Sequence, residues 1–135
     1  MHARQSPHEA YRRVDFDARV QGAGPAELVH LCMEQLVTAL GTAIHADGIG
    51  ETVLRGRAVG RALTAVTALQ MGVSGESGMA RALGQLYAAA RQTLLDNTTH
   101  FNVARMTALR SDFLAHRIHG GAASGQFRAL SVLAA

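Results

Sequence analysis

Seven histidines, ten carboxylates and one cysteine carry whatever chemistry this 135-residue chain can do. Glu27 and His30 form a Glu-x-x-His pair, the unit from which helical bundles build half of a di-iron site. A complete site needs a second such pair and carboxylates from the facing helices, and the later helices supply neither. Asp112, His116 and His119 share a helix face by their spacing, but no acidic cluster converges on them. The ligand count therefore argues against a metal. Cys32 falls mid-helix on an apolar stripe, where cysteine usually serves as a small buried hydrophobe. Ser74-Gly75-Glu76-Ser77-Gly78 is rich in small residues but lacks the lysine of a phosphate loop. No Gly-x-Ser-x-Gly elbow is present. These residues predict a non-catalytic protein with no cofactor and no metal.

Charge is the next candidate for function. All 13 basic residues are arginine, against 10 acids. Residues 1–51 hold four arginines and seven acids, and residues 52–135 hold nine and three. A basic half of this kind suits an acidic partner or a phosphate backbone, or is a solvated face whose arginines snorkel over aliphatic surface. Arg55, Arg57, Arg61, Arg81 and Arg91 are the residues a nucleic-acid reading would use. The lack of lysine and of helix-turn-helix spacing counts against it.

Positioning any site requires a scaffold, and the composition points to helices. Hydrophobic residues make up 48% and aromatics only 4%, with no tryptophan and two prolines. Small aliphatic side chains must fill the core, and the absence of β-branched runs argues against a sandwich or barrel. A single cysteine forms no internal disulfide and suits a reducing compartment. No apolar run reaches membrane-spanning length, and the N-terminus lacks the apolar centre of a secretory signal.

The segment Ser77–Asn97 is expected to organise the chain. Met79, Leu83, Leu86, Tyr87, Ala90 and Leu94 recur at helical spacing. Ser77 is suited to cap its start and Asn97 to end it. Residues 1–24 read as a short extended or single-turn arm anchored by Tyr11, Val14, Phe16 and Val20. Pro25 opens a first long helix that fades at Ala46, with Glu27 near its positive end. A second runs from Glu51 to Gln70, with Leu54, Ala58, Ala62, Ala65, Val66 and Leu69 inward. Gly56 and Gly60 weaken it, or let another helix come close. Asn102 caps a fourth helix, with Val103, Met106, Leu109, Phe113 and Ile118 inward, stopped by Gly120 and Gly121. The expected architecture is all-α: an antiparallel up-down four-helix bundle at residues 25–119, a short N-terminal arm or helix at 1–24, and a tail at 120–135. In the tail, Phe127, Leu130, Val132 and Leu133 fit a short amphipathic helix or a loose end. Alanine-lined helices leave shallow grooves that accept a foreign amphipathic helix. Leu63, Met79 and Leu83 are either the edges of such a groove or ordinary core.

Four stretches resemble the FliS family of flagellin-specific export chaperones. They are the tyrosine-bearing arm around Tyr11, the Gly24-Pro25-Ala26-Glu27-Leu28-Val29 helix start, the Gly75–Ala80 connection, and Ala82-Leu83-Gly84-Gln85-Leu86-Tyr87 with Leu94 and Asn97 following. The last is similar to the family's Leu-x-x-Leu-Tyr step. Two features depart from it: Leu31-Cys32-Met33-Glu34-Gln35 replaces a Met-Leu-Tyr-Asp-Gly-like run, and no tryptophan follows the fourth helix. The resemblance implies a cytoplasmic chaperone that holds the C-terminal helical segment of flagellin unpolymerised until delivery to type III export. It implies flagellin as partner, other export or regulatory proteins as further candidates, and a monomer or weak homodimer without nucleic acid. Its partner-binding residues would be Tyr11, Leu63, Val66, Met79, Leu83, Leu86 and Tyr87. The arm with Tyr11 would cover the groove while it is empty, or Tyr11 is a fixed packing residue. The alternatives are an Arg-rich nucleic-acid-binding or other protein-interaction bundle, or a metal enzyme.

Overall fold

The computed structural model describes residues 6–22 and 24–122. These are all-helical: α1 (Pro7–Gln21), α2 (Pro25–Gly48), α3 (Thr52–Gly72), α4 (Gly78–Thr99) and α5 (Val103–Ala122). The four long helices lie within a few residues of their expected bounds. The expectation for the tail falls, from residue 123 on, outside the described residues, as do the side chains of Val20 and Ile118.

Two local expectations hold for the reasons given. Ser77 Oγ accepts from the backbone N–H of Ala80 at 3.0 Å, and Asn102 Oδ1 accepts from that of Arg105 at 2.9 Å. Both are N-caps that satisfy orphan donors of the first turn. Gly50 takes φ +73° in the turn after α2, a conformation that costs a side-chain-bearing residue.

The N-terminal arm is a correction. Of the options open for this segment the helix is the one that forms, and at 15 residues it is far longer than the single turn expected. Ser6 Oγ accepts from the Glu9 N–H at 3.1 Å, and Glu9 Oε1 faces the Ser6 N–H at 3.4 Å. This is a reciprocal capping box, with Pro7 in the first turn. The organising helix is a second correction. At about 100° per residue, the buried residues of α2, running from Leu31 to Ala46, sweep roughly two-thirds of its circumference. Those of α4 (Ala80, Leu83, Tyr87, Ala90, Leu94 and Asn97) cover only roughly 100°. α2 accordingly packs against α1, α3 and α5, and α4 occupies an outer position between α3 and α5.

The most extensive backbone approach is between α2 and α3. Alanines 39, 43 and 46 of α2 and 58, 62 and 65 of α3 are all buried. Alanines let the two backbones come together, whereas Gly56 and Gly60 do not: a Cβ added at either meets nothing within 4 Å. Gly41 has a different use, since a Cβ there would come within 3.1 Å of Arg110 Nε of α5. Leu36, Leu40, Leu94, Met106 and Phe113 fill the centre of the core. Arg55 pairs with Asp47 at 2.7 Å and lies 5.0 Å from the Phe101 ring centroid. The turn after α2 and the turn after α4 therefore meet at one end.

α4 runs two residues beyond Asn97, which does not terminate it. Asn97 is instead buried and bridges two helices. Its amide donates to the Thr93 carbonyl at 2.8 Å, and its Oδ1 accepts from the Asn102 N–H at 2.6 Å. α5 likewise continues through Gly120 and Gly121, since two glycines weaken a helix without forbidding it.

Asn97→Ala strands the Asn102 N–H and should cost about 2 kcal/mol in urea unfolding. Gly56→Ala, in an exposed helix interior with room for the methyl, should add about 1 kcal/mol by the same measurement.

Candidate functional site

The residues singled out in the sequence divide into three groups. Val66, Leu83 and Tyr87 are core, 0%, 8% and 3% exposed. Met79 and Leu86 are large apolar residues on the surface of α4, 36% and 40% exposed, and Leu63 of α3 is half-buried against the core. Tyr11, 73% exposed, stands apart on α1. The clefts lined by Tyr11 and Phe16 are walled by α1, α2 and α3, and α4 contributes no residue to either. The structure therefore does not bring Tyr11 together with Met79, Leu83, Leu86 and Tyr87.

Local helix geometry explains the division on α4. Leu83 and Tyr87 lie four residues apart on the inward stripe. Met79 and Leu86 lie seven apart along one flank, with Ala82 and Ala89 continuing outward. Leu95, 36% exposed, is on the other flank. α4 approaches α5 far less than it approaches α3. An aromatic cluster spans α4 and α5: Tyr87 stacks against Phe113 with centroids 6.3 Å apart, and His116 meets both rings edge-on at 6.5 and 6.3 Å. Rings of this size hold two helices apart while still burying their faces. Burial pushes the Tyr87 hydroxyl from 10.0 up to about 12. α4 thus carries an apolar flank beside its buried stripe.

The second feature is the seat of α1. Glu9 lies between two arginines of α3, at 3.2 Å from Arg57 and 3.5 Å from Arg61. Arg19 meets Glu34 of α2 at 3.6 Å, in an exposed pair of small energetic weight. Desolvation by burial raises the Glu9 pKa. The Ser6 N–H, the two guanidinium groups and the Ser6 hydroxyl together outweigh it, and the carboxyl is held below its ordinary 4.5. Sequence reasoning missed Glu9. The Ser6-Pro7-His8-Glu9 capping-box pattern marks its helix, but no local pattern marks a pairing across 48 positions.

Three of the five arginines named for nucleic acid are already engaged: Arg55 with Asp47, and Arg57 and Arg61 with Glu9. His30 pairs with Glu34 at 3.3 Å, and among the described residues no three metal-ligating side chains are grouped. No described helix is long and apolar enough to cross a membrane. Cys32 is half-buried, and desolvation raises its thiol pKa, away from the reactive thiolate.

A helical scaffold with an apolar flank and a separately seated N-terminal helix is the arrangement on which family membership bears. The family described as flagellar protein FliS matches residues 7–114, most of the chain. The chain belongs to the FliS family. This is a family of flagellar export chaperones and not of enzymes. The family implies a flagellar protein partner such as flagellin. No curated protein matches the chain.

The Glu9 contact sets a pH dependence. A carboxylate whose pKa is depressed by folding contributes stability that is present above 4.5 and lost as pH falls through the lower folded value. Amide protection factors in α1, exchange rates taken relative to the unfolded chain at the same pH, should therefore fall below that pH, and Glu9→Gln should show the lower protection already at neutral pH.

Proposed function

We propose that this FliS-family chain binds the C-terminal helical segment of flagellin in the cytoplasm, blocks its polymerisation and delivers it for export. The carrying observation is the exposed Met79–Leu86 line on α4. An amphipathic segment that would otherwise self-assemble buries its apolar face on such a line, so capture and polymerisation compete directly. Ordering of the segment on binding offsets much of the contact energy, which keeps release accessible.

In this reading Met79 and Leu86 touch the partner, with Leu63 at the margin. Val66, Leu83 and Tyr87 support the surface from beneath. Tyr11 belongs to a separate patch on α1, where Val14 is also exposed. We also propose that α2–α5 form an antiparallel up-down four-helix bundle at 25–119, with the N-terminal segment as an accessory arm. The meeting of the two turns at Arg55 and Phe101 supports this topology.

Because Leu86 is 40% exposed, Leu86→Asp should leave helicity and the unfolding midpoint nearly unchanged. Co-purification with flagellin should fall at least about tenfold in this variant, a loss of roughly 1.4 kcal/mol. Flagellin lacking its C-terminal segment should not co-purify even with the unmodified chain. Equal capture by Leu86→Asp, or capture of the truncated flagellin, would refute the reading.

A further inference from the structure

We propose that the cleft between α1 and the α2–α3 face binds an organic phosphate, a small ligand with an anionic end and a flat apolar body. The cleft has a volume of about 660 Å³, within the usual ~300–1,000 Å³ of small-molecule sites. Along α1 it extends from Glu9 to Asp17, about 12 Å at 1.5 Å per residue, too short to seat a partner helix of several turns.

Its charge is unbalanced. Four arginines line it, Arg12 and Arg13 from α1 and Arg57 and Arg61 from α3, against only two carboxylates. Glu9 alone spans Arg57 and Arg61, and its second contact is loose at 3.5 Å. Arg12 and Arg13 have no ion pair among the described residues. Guanidinium groups suit phosphate, because their planar forks give two parallel charge-assisted hydrogen bonds. Glu9 is already an anion held between two of the forks, so it marks where the phosphate sits and competes for the place.

The rest of the cleft suits the other end of such a ligand. Phe16 contributes an aromatic side chain, and Ala39 and Ala65 are apolar. Gly60 opens onto space in which a Cβ would meet nothing within 4 Å. A flat ring can stack on Phe16 while its phosphates reach the arginines. None of these residues belongs to the α4 flank proposed for flagellin, so the two readings stand or fall separately.

Isothermal titration of the full chain with ADP, pyrophosphate and adenosine tests the proposal. ADP should bind saturably below about 1 mM, pyrophosphate more weakly, and adenosine not at all. Arg13→Ala changes an exposed side chain and should weaken ADP binding about tenfold with unchanged circular dichroism. Absence of saturable ADP binding or unchanged affinity in Arg13→Ala would each overturn the site. Pyrophosphate binding as tight as ADP would overturn the ring contact, and with it the assignment to an organic phosphate.

Discussion

The close approach of α2 and α3 is the constraint from which the rest of the structure follows. Alanines along both helices permit it, and alanine also favours helix without losing side-chain entropy. A pair so closely joined offers little volume between its own axes. The bulky residues Leu36, Leu40, Leu94, Met106 and Phe113 are therefore collected on one side of it, where α4 and α5 close the core. The aromatic cluster of Tyr87, Phe113 and His116 then sets the spacing of α4 and α5. Close packing on one side and wide packing on the other have a common origin in side-chain size.

The same size argument explains which parts of the fold were legible in the sequence. Long helices announce themselves by period, and Ser77 and Asn102 announce their own caps, because both signals are local. The hub could not be read this way. α4 has the cleaner stripe because it is buried on one side only. α2 has the blurred one because it is buried over roughly two-thirds of its circumference. A sharp amphipathic pattern marks an outer helix, so the clearest segment was not the central one. Asn97 misled for a related reason: asparagine is common at helix ends, but a buried one that satisfies its amide on Thr93 and the Asn102 backbone belongs inside the helix.

Reading the surface proved harder than reading the core. Helical spacing groups Met79 and Leu86 with Leu83 and Tyr87, although a rotation of some tens of degrees about α4 separates core from surface. Which residues stay exposed depends on how α4 is seated on its neighbours, a matter of contacts such as those of Tyr87 with rings 26 and 29 positions away. Glu9 is the extreme case, since its partners lie on a helix two elements later. The sequence resemblance to FliS and the family match identify the class of work, but neither locates the surface that does it.

The placement of α1 bears on how such a protein handles its partner. Its docking rests on a capping box, the Glu9 pairing and the partial burial of Phe16, while Tyr11 and Val14 remain outside. This is slender support for a helix of 15 residues, since helices of that length are marginal without an apolar face packed on a neighbour. α1 is thus expected to open at lower free energy than the helices around the Leu36–Phe113 core. Because its cleft is walled by α2 and α3 while the apolar flank is on α4, opening of α1 need not disturb the flank. A ligand held in the arginine-lined cleft would stabilise α1 by contacting both of its walls. In this molecule the strength of the N-terminal seat and the capture of a foreign helix are therefore separable properties, governed by charge in one place and by apolar surface in the other.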